Sequence, residues 1–152
     1  MAIEKVKEYF EGIGMADRVK EFQVSSATVE LAAKALGCEP GHIAKTMSFL
    51  TEEGTILILT AGDARIDNKK YKAAFHQKAK MVPWEEVEEH VGHAPGGVCP
   101  FAVKEGVRVY LDESLKKYEV VYPAAGSSNS AVELSVEELE RVSGSLGWVD
   151  VC

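Results

Sequence analysis

Apolar residues recur at helical spacing in five segments of the chain. Ile3, Val6 and Phe10 lie on one face of a first predicted helix, which ends at a turn near Gly12 to Gly14. The other helices are predicted over Val29–Leu36, from Asp67 or Asn68 to Phe75, over residues 84–91, and after Ser135 through Leu139, Val142 and Leu146.

Capping residues support three of these helices. Thr28 can accept a hydrogen bond from the first turn of the second helix, and Gly37 favours the left-handed conformation that ends it. Pro83 suits a first helical turn. Ser135 and Glu138 have the spacing of a capping box, in which each side chain bonds the other residue's backbone amide.

Short runs of β-branched and aromatic residues predict six strands, over residues 46–51, 55–61, 79–82, 107–111, 120–122 and 131–134. Glu52, Glu53 and Gly54 connect the first two as a hairpin. The unbroken apolar run 56–59 predicts a central strand that is covered on both faces. Strands and helices do not alternate regularly, which favours an α/β fold of the α+β type: a curved, partly closed mixed sheet surrounded by helices.

Length and composition predict one globular domain spanning residues 1–152. Hydrophobic residues make up 46% and charged residues 27%, values that are ordinary for a folded protein. The first residues alternate charged and apolar positions, so we expect no signal peptide, no membrane segment and a cytoplasmic location. The three widely spaced cysteines are expected to be reduced thiols.

The net charge of −7 argues against tight binding of a long nucleic-acid backbone, and no DNA partner is expected. One local exception is a set of basic residues between positions 65 and 80. It is either a solvated face or a contact for phosphates. The basic residues are Arg65, Lys69, Lys70, Lys72, Lys78 and Lys80.

Candidate chemistry begins with Lys45, which stands at the start of a strand between Ala44 and Thr46. Lys45 either positions a ligand, or its side chain reaches from the strand end so that the ammonium is solvated. Gly96 and Gly97, followed by Pro100, form a sharp turn. Its amides could hold an oxygen that becomes negative in a transition state, or the glycines could only allow the turn.

Other polar residues leave similar alternatives open. The loop Gly126, Ser127, Ser128, Asn129 and Ser130 could bind a substrate or cap itself. Cys99 could act as a nucleophile near His90 and His93, but a packed thiol explains it equally simply. These three residues lack a fourth ligand and a common zinc spacing, so no metal is expected, and no nucleotide-binding motif is present.

Five motifs in order resemble the YbaK/EbsC family, which includes free-standing homologues of the prolyl-tRNA synthetase editing domain. They are AKT at residues 44–46, AGDARIDNKK at 61–70, GGVCPF at 96–101, VYLDESL at 109–115 and AAGSSNSAVELS at 124–135. The resemblance covers nearly the whole chain. Residues 24–26 and 127–129 depart from the usual family pattern, so the amino acid edited is not carried over.

The resemblance implies a deacylase that hydrolyses the ester of a mischarged tRNA carrying a small amino acid, with tRNA-Pro as one candidate, and that needs no metal or cofactor. Lys45 would orient the terminal nucleotide, and Gly96 and Gly97 would hold the carbonyl oxygen. The expected partners are the acceptor end of aminoacyl-tRNA and a synthetase. The residues expected to bind the substrate are Thr46, Asp63, Pro100, Gly126, Ser127, Ser128 and Asn129. The alternative is a module that binds an aminoacyl-tRNA or nucleotide end without turnover.

Overall fold

The computed structural model describes residues 2–152, in which five α-helices surround two β-sheets. None of these helices has the length and apolar character needed to cross a bilayer. The helices are α1 (Ala2–Gly12), α2 (Val29–Leu36), α3 (Asn68–Phe75), α4 (Val87–Val91) and α5 (Val136–Val142). The strands are β1 (Val19–Glu21), β2 (Ile43–Thr51), β3 (Gly54–Ala61), β4 (Arg108–Asp112), β5 (Val120–Pro123), β6 (Ser130–Val132), β7 (Leu134–Ser135) and β8 (Trp148–Val149).

The larger sheet has six strands in the order β7-β5-β2-β3-β4-β8, and β1 pairs with β6 in a second sheet. The pairs β2–β3 and β5–β7 are antiparallel, whereas β2–β5, β3–β4 and β4–β8 are parallel. A bridge between Ala124 and Ala131 connects the end of β5 to β6 and curls the assembly. The predicted curved, partly closed mixed sheet of an α+β fold is confirmed.

The core lies on both faces of β3, as its apolar run predicts. Ile56, Leu57, Ile58 and Leu59 have no solvent exposure. Leu57 and Leu59 belong to the larger core cluster under α1, whereas Ile56 and Ile58 pack with the aromatic residues of a second cluster that includes Tyr71 of α3. Burying side chains of this size stabilises the fold by about 1.5–3 kcal/mol each, which makes β3 the anchor of the sheet.

The capping predictions are confirmed at α2, α3 and α5, and at α5 Ser135 and Glu138 form the predicted capping box. The Thr28 side chain accepts a hydrogen bond from the amide of Leu31, and Gly37 adopts a φ of 70°. Asp67, one of two candidates, caps α3 by accepting from the amides of Lys69 and Lys70. Local sequence therefore fixes where these helices begin.

Three expectations were wrong, and two strands were missed. The segment 79–82 forms only a bridge between Phe49 and Met81 rather than a strand. The strand predicted at 131–134 is divided between β6 and β7, which pair with different strands. The last helix ends at Val142, and Leu146 lies beyond it with 62% of its surface exposed. The short strands β1 and β8 were missed because their pairing partners are distant in sequence.

Stability should depend on pH through Glu138. Two hydrogen bonds from Arg18 and the capping box at Ser135 lower the pKa of Glu138 from 4.5 to about 2. Because the folded-state pKa is the lower one, this stabilisation is complete above about pH 4.5 and is lost as the pH falls towards about 2.

We expect the Glu138→Gln substitution to lower the free energy of unfolding at pH 7 by about 1–2 kcal/mol and to flatten the acid dependence of that free energy. Urea unfolding at several pH values checks this expectation. Glu137, in the same turn, has no resolved ion pair among the described residues, so Glu137→Gln is the matched control. Identical acid profiles for the wild type and Glu138→Gln would contradict the assignment.

Candidate active site

A gap in strand pairing opens along one edge of β2. At its start this edge pairs with β5, through Ile43 and Ala44. Further on, the Leu50 amide donates to Lys80 over 2.8 Å, and the Val82 amide donates to Ser48 over 3.1 Å. Since the hydrogen-bonding direction alternates along a strand, the N–H and C=O groups of Thr46 point into the space between these two pairings.

This gap forms part of a cavity of about 410 Å³. The volume lies within the range of small-molecule sites. Its lining is mostly apolar and comes from five parts of the chain: the segment 26–28 with α2, the first six residues of β2, the stretch from Met81 to Val87, the loop Pro95 to Val98, and the ends of β5 and β6. The cavity therefore exists only when these five parts of the chain are folded together.

Lys45 and Thr46 both line the cavity. Lys45 is partly buried and its ammonium donates a hydrogen bond to the carbonyl of Ala64, in the loop that follows β3. The Thr46 hydroxyl is buried and has no hydrogen-bond partner within residues 2–152. The Lys45 ammonium is therefore held by the loop after β3, while Thr46 leaves a hydroxyl and a backbone edge without partners.

The two glycines of the turn, Gly96 and Gly97, differ in their hydrogen bonds. Gly96 lines the cavity at a φ of +92°, and its amide donates to no other atom of residues 2–152. The Gly97 amide donates to the Ala94 carbonyl over 3.1 Å, and the Gly97 carbonyl accepts from Gly126 over 3.1 Å. Of the two predicted donors, only Gly96 lines the cavity, and only its amide lacks a bonding partner within residues 2–152.

The loop from Gly126 to Ser130 connects two walls of the cavity. The Ser128 carbonyl accepts from the Ser26 amide over 2.7 Å, and the Asn129 side chain donates to the Phe22 carbonyl over 2.9 Å. The Ser127 hydroxyl bonds the Ser130 hydroxyl over 2.6 Å. Gly126, Ser127, Ser128 and Asn129 do not line the cavity, and their hydrogen bonds hold the loops together. Direct binding of substrate by these four residues stays a prediction.

Asp63 and Pro100 lie away from the cavity lining. The Asp63 carboxylate accepts a hydrogen bond from the Tyr118 hydroxyl over 3.1 Å on the protein surface. Pro100 is buried in the loop after the glycine turn. The structure thus brings together Lys45, Thr46 and Gly96, but it does not bring Asp63 and Pro100 to the same cavity.

Sequence reasoning missed other parts of the lining. Ser26 and Ser130 contribute buried polar groups, and Met81 and Trp84 contribute exposed apolar ones. Ser130 stood in a loop already singled out as polar. Ser26 belongs to the segment 24–26, which departs from the usual family pattern. Met81 and Trp84 are brought to the cavity by contacts between distant segments, for which no local pattern exists.

Cys99 has the environment of a packed thiol. It has no solvent exposure, and burial raises its pKa to about 12. The neighbouring His93 lies with Nε2 2.6 Å from the Phe101 carbonyl, so Nε2 carries a proton and cannot accept one from the sulfur 3.4 Å away. Within residues 2–152, no group of three His, Cys, Asp or Glu side chains is arranged to hold a metal.

The fold and the sequence place this chain in a defined family. A family model described as the aminoacyl-tRNA editing domain matches residues 24–142, which include every wall of the cavity. The chain belongs to the aminoacyl-tRNA editing domain family.

Three relatives illustrate this membership. An uncharacterized protein of Bacillus subtilis, YwhH, is 48% identical and covers 100% of this chain and 98% of its own length. A proline–tRNA ligase of Limosilactobacillus fermentum is 30% identical over 66% of this chain, which corresponds to 19% of the ligase. A crystal structure described provisionally as a trans-editing enzyme for prolyl tRNA synthetase superposes with a TM-score of 0.88 at 31% identity, covering 99% of this chain and 96% of that one.

Proposed function

We propose that residues 1–152 act as one free-standing, cytoplasmic editing domain that hydrolyses the ester between a small wrong amino acid and the end of a tRNA. The observation that carries this proposal is the cavity itself. Within the region matched by the family model, Lys45, Thr46 and Gly96 line one cavity of about 410 Å³. The similarity to proline–tRNA ligases favours tRNA-Pro as the carrier and a synthetase as a partner.

Lys45, Gly96 and Thr46 have separate roles in the proposed reaction. Lys45 attracts and orients the phosphate of the terminal nucleotide once its ammonium exchanges the Ala64 carbonyl for that anion. The free Gly96 amide donates to the ester carbonyl oxygen as it becomes negative, a contribution of about 100- to 1000-fold for one such donor. The Thr46 hydroxyl and backbone supply further polar contacts to the ribose or amino group.

The protein then needs no nucleophile of its own. A water molecule, activated directly or by the neighbouring ribose hydroxyl, attacks the carbonyl carbon. The bond between that carbon and the ribose oxygen breaks, and the ribose oxygen leaves with a proton. The products are a free amino acid and an uncharged tRNA, and the proposed reaction requires neither a metal nor a cofactor.

The volume of the cavity determines which mischarged amino acid is accepted for hydrolysis. A synthetase pocket rejects a residue that is one methylene smaller by only about 1–3 kcal/mol, so a second site that admits the smaller side chain raises fidelity. Ala27, Ala32 and Ala44 line this cavity with small side chains that leave its volume open. The larger side chains of Val87 and Val98 reduce that volume. These dimensions favour a small side chain beside the ribose.

The test is a panel of tRNAs charged with correct and incorrect small amino acids. We expect saturable release of amino acid from at least one mischarged member. Binding is measured on the same panel, because the alternative is a module that recognises the aminoacylated end without turnover. Salt-sensitive binding with no release from any member would overturn the deacylase and favour that module.

A separate prediction concerns Cys99. Because its thiol is fully buried and its pKa is raised to about 12, we expect Cys99→Ala to keep kcat/KM within about threefold of the wild type, while the small core cavity lowers the free energy of unfolding by about 1 kcal/mol. Steady-state deacylation and a urea titration measure both effects. Loss of hydrolysis in folded Cys99→Ala would instead support a thiol mechanism.

A further inference from the structure

Trp84 is the most exposed large apolar side chain that lines the cavity. It has 73% of its surface exposed, and Met81, which also lines the cavity, has 54% exposed. Side chains that line a cavity and remain open to water lie at its mouth. Exposing a tryptophan to this extent forgoes a large part of its burial energy, and two exposed apolar side chains at one cavity together form a surface that a ligand could cover.

The Trp84 ring has no partner of its own. Among residues 2–152 it takes part in no aromatic pair, and its indole nitrogen makes no hydrogen bond. The other tryptophan, Trp148, differs in both respects, because its ring lies under the Lys116 ammonium and its indole nitrogen bonds Glu140. Trp84 is thus a free aromatic face and Trp148 is an occupied one.

Basic residues precede Trp84 in the sequence and acidic residues follow it. Exposed Lys78 and Lys80 precede Met81, and neither forms an ion pair within the described residues, whereas the acidic Glu85 and Glu86 follow Trp84. A ligand with an aromatic ring and an attached phosphate would be favoured with its ring on Trp84 and its phosphate on the lysine side. A purely apolar peptide would gain nothing from the lysines.

We propose that Trp84 is a stacking platform for the terminal base of the tRNA acceptor end, with Met81 beside it. The inference rests on the proposed function, since it places the base at the mouth while the aminoacyl ester enters the cavity. Trp84 positions the substrate and takes no part in the chemistry. Stacking of a base on an aromatic side chain strengthens binding by about 5- to 150-fold, which makes it a substantial part of a weak, end-directed contact by an acidic protein.

The first experiment needs no hydrolysis. In Trp148→Phe, Trp84 is the sole tryptophan, so binding of the trinucleotide CCA is followed by quenching of its fluorescence. In Trp84→Phe the sole tryptophan is Trp148, and we expect no quenching. A trinucleotide that ends in an abasic ribose is the ligand control and should quench far less than CCA.

The second experiment compares binding and kinetics. We expect Trp84→Ala to weaken CCA binding about 10-fold and to raise KM for a mischarged tRNA by a similar factor, with kcat within about twofold. Trp84→Phe, which keeps an aromatic face, should recover most of the loss. Because Trp84 is exposed, thermal melting of these variants should match the wild type.

The outcomes separate this inference from the proposed function. Absence of quenching at Trp84, or equal CCA affinity in Trp84→Ala and the wild type, would overturn the stacking platform even if mischarged tRNA is hydrolysed. Quenching at Trp84 without hydrolysis of any mischarged tRNA would support the platform and overturn the deacylase.

Discussion

Replacing Lys45 by alanine should lower kcat/KM for a mischarged tRNA by about 100-fold or more. Lys45 and Thr46 line the cavity at the unpaired edge of β2, and in the proposed reaction the Lys45 ammonium exchanges the Ala64 carbonyl for the terminal phosphate. Loss of that charge removes the attraction for the terminal phosphate and the orientation of the ester relative to Gly96, and misplacement by about 1 Å can cost about 100-fold in rate. Single-turnover release of amino acid measures the effect.

Two variants separate this catalytic effect from folding. Lys45→Met keeps the apolar stem and removes the charge, so it should lose activity like Lys45→Ala, although both lose the hydrogen bond to the Ala64 carbonyl and about 1 kcal/mol of stability. Lys34→Ala removes an exposed charge from α2 and should keep full activity. A folded Lys45→Met protein with wild-type kcat/KM would show that the Lys45 charge is dispensable.

A methyl group at Gly97 should damage both the fold and the site. A Cβ built there would lie 2.6 Å from the Ser127 nitrogen and 2.7 Å from the Gly126 carbonyl carbon, and both atoms are backbone. We expect Gly97→Ala to lower the free energy of unfolding by about 1–3 kcal/mol, because the loops must move apart. At temperatures where the variant is folded, kcat/KM should still fall at least 10-fold, since Gly96 moves with its neighbour.

Gly12→Ala is the matched control for this prediction. A Cβ at Gly12 meets nothing within 4 Å, and its φ lies outside the left-handed region. Its stability and activity should stay at wild-type values or rise slightly. Urea unfolding and single-turnover kinetics measure both variants. If Gly97→Ala matches Gly12→Ala in stability and rate, close packing of the two loops does not shape the site.

The sequence predicted those parts of the fold that local chemistry controls. Thr28, Asp67 and Ser135 cap helices through bonds to amides two or three residues away, and such contacts can be read from spacing. The strands β1 and β8 could not be predicted, because they have three and two residues and exist through pairing with residues distant in sequence. Leu146 fitted a helical period, but the chain turns at Gly144 before reaching it.

The site was predictable to a similar extent. Lys45 and the Gly96 turn were singled out through five motifs in the order of a known family, since local chemistry alone left the role of each open; both residues line one cavity. The cavity itself arises where β2 exchanges its pairing with β5 for pairing with the segment near Lys80. No local pattern encodes that exchange, which is why Met81 and Trp84 were not predicted to line the site.

Hydrolysis by the wild-type protein under single-turnover conditions tests the central claim most directly. The two substrates are tRNA-Pro charged with alanine and the same tRNA charged with proline, each compared with its spontaneous hydrolysis in buffer. Our account predicts that the protein leaves the proline ester close to its spontaneous rate and accelerates by at least 100-fold the release of a small wrong amino acid, from the alanine ester or from another mischarged tRNA of the panel. The claim would be contradicted if folded protein accelerated neither reaction and also left every other mischarged tRNA of the panel intact.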